Sequence, residues 1–485
     1  MAVGRFFVYK LFKFGLLLGI VNFVSATELI NIFPMESYNQ DVSAWIKPDA
    51  PDYKQSLLSA DYQKQRLQEF YQHYYSNADS GLSPWSRDYV NSQLVKSESI
   101  NIIQTERLVL AGFNNPIDVK KTAYGENYIP YKAEWFGKIG RNMELDKPVE
   151  LSYTANKRAI AVDNLLVRTL PTHDPLFYSN KIAGEGYPFD NLQETAIFIG
   201  MPLYIIKQSA DKEWSLVIAS DDVGWVRTSG IAMVDNKFIA TWQKAARKDI
   251  VATVAQSSLI DSSGVFRGMA YNGSTFPLAN KSESAYEVLI PVADLKRNAQ
   301  IVKVTLSQSD GVIMPLKLTP ENMARIMRNQ IGKQYGWGSM FFNYDCSAET
   351  KALFAPFGIY LPRNSGFQSL AGKTVILDNL SSAEREQYLL KNGHKLLTLV
   401  QIPGHILLYL GNYANPNSAG HELVAMSYQN IWGMKTNAND TRYVIGGSVF
   451  LPLLAQYPEQ TDLMSFYDSA RSKFRLVYLD QFPEN

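Results

Sequence analysis

Asn343-Tyr344-Asp345-Cys346-Ser347, running on through Ala348-Glu349-Thr350-Lys351-Ala352-Leu353-Phe354 to Gly358, is the stretch on which the reading of this chain turns. Ala348 to Phe357 is rich in helix formers and stops at Gly358, so Cys346 falls at or just before a helix N-terminus. Asp345 or Ser347 is placed to cap that helix. Unpaired backbone N–H groups and the helix dipole favour a thiolate there. With an imidazole alongside, a cysteine pKa falls from about 8.5 to about 3–4. Cys346 is the only cysteine among 485 residues, so it has no disulfide partner within the chain. Flanked by Asp and Ser where a core would want apolar residues, it reads as a nucleophile rather than a small buried hydrophobe.

A thiol nucleophile needs a base, and the chain offers His73, His173, His394, His405 and His421. His405 follows Pro403-Gly404 and opens the apolar run Ile406-Leu407-Leu408-Tyr409-Leu410, which ends at Gly411. A histidine at the mouth of such a strand can swing a ring nitrogen over a helix N-terminus. The other four read as surface or satisfied histidines: His73 in a Tyr/Gln-rich helix, His173 in a Pro-flanked loop, His394 after Asn392-Gly393, and His421 in a polar turn. A third group must hold the imidazole in the right tautomer. Asn417, His421 and Gln429 are the polar candidates, and Gln429 is favoured because it follows the strand-like Glu422 to Met426.

Four segments together carry a family resemblance: Tyr335-Gly336-Trp337-Gly338, Tyr344-Asp345-Cys346-Ser347, Leu361-Pro362-Arg363-Asn364-Ser365, and Gly404-His405 through Gly411. They resemble the NlpC-type family of papain-like bacterial cell-wall peptidases, which use a Cys-His-polar triad. Ala348 stands where the family usually has glycine, and Gln429 where it usually has histidine. The resemblance implies an exported endopeptidase for the γ-D-glutamyl–diaminopimelate bond of peptidoglycan stem peptides or muropeptides. Relatives with bacterial SH3 modules prefer a free N-terminal L-alanine. In some of them the module walls off one end of the cleft; Tyr335, Asp345 and Ser347 match the positions that hold the amine there, and Glu185 and Asp190 are candidates for that wall.

Working outward, residues 318–485 read as the catalytic domain, with helices first and an antiparallel sheet after, the α+β order of a papain-like fold. Thr319 caps a helix whose first turn carries Pro320 and Glu321, and Met323, Ile326, Met327 and Ile331 form one core-facing stripe. Ser381 to Glu384 is a capping-box pattern. Upstream, 151–245 and 246–317 alternate short strands with turn residues and read as two small SH3-like β-barrels. The Gly224-Trp225-Val226 ending of the first resembles bacterial SH3 modules. Residues 27–150 read as a helical stabilising region, with a tyrosine-rich helix at Gln63 to Tyr75.

Residues 1–26 read as a signal peptide: Arg5, Lys10 and Lys13, an apolar core from Phe14 to Val24, then Val24-Ser25-Ala26. That core is short for a membrane span, and no cysteine follows it to take a lipid. The expectation is a periplasmic or secreted protein with no membrane anchor after cleavage. A net charge of +1 with no basic run argues against nucleic-acid binding. The chemistry requires no cofactor and no metal, and the sequence has no HExxH or paired Cys/His spacing. Two alternatives stand beside the peptidase: other thiol amide chemistry on this fold, as an amidase, deamidase or acyltransferase, and a catalytically silent wall-binding protein.

Overall fold

The computed structural model describes residues 30–97, 100–114, 121–182, 184–415, 422–438, 441–469 and 472–484. The expected signal peptide, and with it Asn417 and His421, lie outside these residues. No helix among the described residues is long and apolar enough to cross a membrane.

The catalytic segment is built on a mixed sheet of seven strands. Its middle is a meander of Thr398–Ile402, His405–Ala414, Leu423–Lys435 and Arg442–Leu453, each antiparallel to the next. Pro403-Gly404 makes the first turn, with Ile402 paired to His405 and Gly404 at φ 74°. Only glycine takes that conformation without strain, and the turn puts His405 at a strand start. Ile406, Leu408 and Leu410 join one apolar cluster while Leu407 and Tyr409 join another. The continuous apolar run is therefore a strand buried on both faces. Burying each such side chain contributes about 1.5–3 kcal/mol.

The helix Cys346–Phe354 packs on the first of those faces, with Leu353 and Phe354 in the same cluster as Ile406, Leu408 and Tyr428. Asp345, rather than Ser347, is its cap and accepts the Ala348 amide at 3.0 Å. One turn on, the buried carboxylate of Glu349 accepts from Tyr428, from Ser448 (2.9 Å) and from Asn430 (3.0 Å), tying the helix to two strands. Pro320–Arg328 is capped by Thr319, and Ser382–Asn392 opens on the Ser381/Glu384 capping box.

One strand is longer than the sequence pattern suggests, and another lies where none is expected. Gln429, expected after a strand ending at Met426, lies inside Leu423–Lys435, opposite Val449. Its polar neighbours hide the strand from a hydrophobicity reading, yet the Ser427 hydroxyl and the Asn430 Nδ2 are bonded inside the fold. Ile30–Ile32, within a region read as helical, is a strand parallel to Arg442–Val444 at the sheet edge. Three residues carry no periodicity, and their pairing partner lies at the far end of the chain.

Upstream stand two seven-stranded antiparallel sheets. The first runs from Arg158–Ala161 to Ile231–Met233 and the second from Ile250–Thr253 to Gly311–Ile313. Between them lies the helix Asn236–Lys248, capped by Asp235, which buries Phe238, Ile239 and Trp242. The N-terminal helices divide their packing. Phe70 and Tyr74, on Ala60–Tyr74, join the catalytic cluster, whereas Phe136, Ile139 and Met143 pack with Trp214 and Trp225 of the first sheet.

Helix Ala60–Tyr74, the first β-module and the catalytic domain meet around Asp221. Its carboxylate accepts from the Tyr360 hydroxyl and pairs with Lys351 at 2.8 Å. Lys351 also lies 4.5 Å from the Tyr360 ring centroid, on whose ring His73 stacks at 3.5 Å. Burial pushes the His73 imidazole down to about 4, with Asp221 opposing and Lys351 adding to the effect. Its Nδ1 is buried without a partner. The unfolded chain therefore binds a proton near pH 6.5 that the folded chain refuses until about pH 4, so stability is lost as pH falls through 6.5. His73→Phe keeps the stacked ring and removes this penalty. Relative to wild type it should gain about 2 kcal/mol of stability on going from pH 7 to pH 5. Urea unfolding at both pH values checks this, and an unchanged difference would contradict it.

Candidate active site

Cys346, 7% exposed, sits where the capped helix begins, and the backbone N–H of Ile406 lies close enough to favour its thiolate. That contact sets the sulfur beside the peptide that follows His405. His405 Nε2 lies 2.6 Å from Gln429 Oε1. The direction of this bond is fixed from behind: Gln429 Nε2 donates to Ser427 Oγ (2.9 Å), and Ser427 Oγ donates to the Leu451 carbonyl (2.6 Å). The Gln429 oxygen must then accept, so His405 carries its proton on Nε2 and leaves Nδ1 as the base. Gln429, expected as the third polar residue, is the side chain hydrogen-bonded to His405.

Electrostatics differ from the sequence expectation. Burial, and then the adjacent Asp345 carboxylate, pushes the Cys346 thiol up to about 12. Burial pushes the His405 imidazole down to about 4, against the pull of Gln429 and Asp345. Each group alone is held neutral, because desolvation outweighs the helix dipole in this enclosed place.

Asp345 and Ser347 flank the thiol but are not open to a ligand. Asp345 Oδ1 accepts from Ser347 Oγ (3.2 Å), the Ala348 amide (3.0 Å) and Arg363 Nη1 (3.0 Å). Its Oδ2 accepts from the Gly338 amide (3.2 Å) and Arg363 Nη2 (2.6 Å). The carboxylate is saturated and its charge is balanced, so the expectation that it receives a substrate amine is corrected. Ser347 Oγ likewise accepts from Arg363 Nη1 at 2.8 Å. Tyr335 lies within electrostatic reach of Asp345, Cys346 and Arg363, and burial raises its hydroxyl pKa well above the usual range.

The acidic loop of the first β-module meets the catalytic domain through aromatic rings. Phe189 packs edge-on against Trp337 (5.1 Å) and Trp432 (4.9 Å), and Trp337 Nε1 donates to the Asp190 carbonyl at 3.0 Å. The Asp190 side chain is only 2% exposed and pairs with Arg168 at 2.5 Å. It also accepts the Leu176 and Leu192 amides, so it holds its own loop together and is not a ligand for an amine. Glu185 is half-buried beside Asn191, with Lys121 and Arg442 nearby, and burial raises its carboxyl pKa.

Arg363, buried at the centre of these contacts, had no role in the sequence reading beyond its place in Leu361-Pro362-Arg363-Asn364-Ser365. An arginine directly after an apolar Tyr-Leu-Pro run was the available signal. Glu349 was equally unread, since one carboxylate on a helix face looks solvated until its three strand donors are known. Among the described residues no group of three or more His, Cys, Asp or Glu side chains could hold a metal ion.

Residues 175–227 match the SH3 domain of SH3b1 type, and residues 332–440 match the NlpC/P60 family. A solved NlpC/P60 endopeptidase from Photobacterium damselae subsp. piscicida is similar over 94% of this chain and 100% of its own, at 27% identity and a TM-score of 0.78. The γ-D-glutamyl-L-lysine dipeptidyl-peptidase of Bacillus subtilis (strain 168) is 30% identical over 106 residues, which are 21% of this chain and 34% of that protein. The match thus spans about a third of that relative's length. The chain is a multidomain protein that carries an NlpC/P60-family domain, the fold of a cysteine peptidase, behind an SH3 domain.

Proposed function

We propose that the protein is an exported cysteine endopeptidase that hydrolyses the γ-D-glutamyl–diaminopimelate bond of peptidoglycan stem peptides. The observation that carries this reading is the His405–Gln429–Ser427 hydrogen-bond chain, which leaves one imidazole nitrogen free to act as a base on the strand that packs against the helix opened by Cys346. The bond assignment draws on the name of the Bacillus subtilis relative, a γ-D-glutamyl-L-lysine dipeptidyl-peptidase.

His405 Nδ1 takes the Cys346 proton as sulfur adds to the γ-carbonyl carbon of D-glutamate. The Ala348 amide is taken by Asp345, so the oxyanion would draw on the Cys346 and Ser347 amides at the helix start. The C–N bond then breaks, His405 returns the proton to the leaving amine, and a thioester remains on Cys346. Water, deprotonated by His405, hydrolyses the thioester and releases the free γ-carboxylate. A preference for a free N-terminal L-alanine would draw its carboxylate from Glu185, because Asp190 and Asp345 are spent elsewhere, with Tyr335 as a further hydroxyl.

The test is product analysis by mass spectrometry on purified muropeptides and on synthetic L-Ala-γ-D-Glu-diaminopimelate peptides. The expected product is L-Ala-D-Glu with its γ-carboxylate free. Release of ammonia, transfer to an acceptor amine, or cleavage at any other bond would overturn the assignment.

A further inference from the structure

The strand Gln193–Ile197 of the first β-module runs along the turn Trp337–Phe342 and reaches the residues that flank Cys346. Arg363 is the junction, and all five of its N–H groups are used. Nη1 donates to Asp345 (3.0 Å) and Ser347 (2.8 Å), and Nη2 to Asp345 (2.6 Å) and Ser339 (3.3 Å), all within the catalytic domain. The fifth donor, Nε, goes to Thr195 Oγ1 at 2.7 Å, in the β-module. A guanidinium is a rigid planar fork, so fixing one donor fixes the direction of the others. The Thr195 hydroxyl thereby sets how Arg363 meets Asp345 and Ser347, one on each side of the nucleophile.

A second link runs parallel to the first. Gln193 Nε2 donates to the Gly338 carbonyl (2.8 Å), while the Gly338 amide donates to Asp345 (3.2 Å). Strand and turn touch here, since a Cβ on Gly338 would stand 2.5 Å from the Gln193 carbonyl oxygen. The same turn holds Ser339, Phe341 and Phe342 at φ 60°, 55° and 59°. Residues with side chains keep that left-handed conformation only where their surroundings over-determine it.

We propose that Thr195 and Gln193 are positioning residues for the thiol chemistry of the neighbouring domain, acting through Arg363 and Gly338 on the segment Asp345-Cys346-Ser347. The inference rests on reading Cys346 as the nucleophile. Asp345 raises the thiol pKa and Arg363 lowers it. A guanidinium that swings away from its Thr195 anchor leaves Cys346 beside a less compensated anion, and the thiol ionises at higher pH.

Because Cys346 is the only cysteine, iodoacetamide alkylation followed by intact mass reads this thiol alone and needs no substrate. Thr195→Val keeps the shape and removes the acceptor. Its alkylation profile should move up by at least about half a pH unit, with kcat down about tenfold and KM within about twofold. Thr195→Ser, which keeps the hydroxyl, should restore both. Arg363→Lys, which keeps the charge and loses the fork, should move the profile the same way. Circular dichroism at the assay temperature selects folded samples, so a loss of fold is not read as an effect. A wild-type profile and kcat in folded Thr195→Val would overturn the proposal, as would an equal defect in Thr195→Ser. If the wild-type chain cleaved no stem peptide, the proposed function would fail while the alkylation comparison still decided this one.

Discussion

Cys346→Ala should cut stem peptides at least about 10⁴-fold more slowly than the wild-type chain, with its fold intact. The size follows from what sulfur does: no other group in the site can form the covalent intermediate, and removing the nucleophile of a triad costs about as much as removing the whole triad. The fold should survive because the thiol adds little packing. It is a small side chain at the first position of a helix whose cap is Asp345 and whose core contacts come from Leu353 and Phe354. Cys346→Ser should be nearly as inactive, since His405 is held as a weak base, with its pKa pushed down to about 4, and is poorly matched to a serine hydroxyl. Steady-state kinetics on a defined stem peptide, paired with thermal melting, checks both halves. Near-wild-type turnover in the alanine variant would contradict the account.

His405→Ala should lose about 10³–10⁴-fold in kcat, because one imidazole serves as base in acylation and as acid toward the leaving amine. Gln429→Ala should lose less, about 10–100-fold. A neutral amide orients the ring and fixes its tautomer but supplies no charge to the imidazolium. The ordering Cys346 ≥ His405 > Gln429 is the informative quantity. A loss at Gln429 equal to that at His405 would mean that the orienting bond carries the whole effect of the base. His421→Ala, proposed to be bystander chemistry, should stay near wild type in the same assay.

The helix that Cys346 opens and the strand that His405 opens are legible in the sequence because their signals are local. Thr319-Pro320, Ser381 to Glu384 and Asp345 before a run of helix formers are capping arrangements that act over three or four residues. Pro403-Gly404 before an apolar run is equally local, and it announced both the strand and the histidine at its start. What escaped reading depended on partners distant in sequence. Ile30–Ile32 is a strand only because Arg442–Val444 lies beside it. Asp345 looked like an open carboxylate until Arg363 closed on it, and Asp190 until Arg168 did. Burial worked the same way on the thiol. A helix N-terminus is visible in sequence, whereas the desolvation that outweighs it comes from the packed sheet and the β-module.

The central claim is a covalent γ-glutamyl intermediate on Cys346, and one measurement addresses it directly. Wild-type protein is mixed with excess L-Ala-γ-D-Glu-diaminopimelate peptide, quenched in acid within a single turnover and examined by intact-mass and peptide-mapping spectrometry. The account predicts an L-Ala-D-Glu adduct, lost on treatment with hydroxylamine and mapped to the peptide that contains Cys346. Efficient cleavage with an adduct on any other residue, or cleavage undiminished in Cys346→Ala, would contradict it.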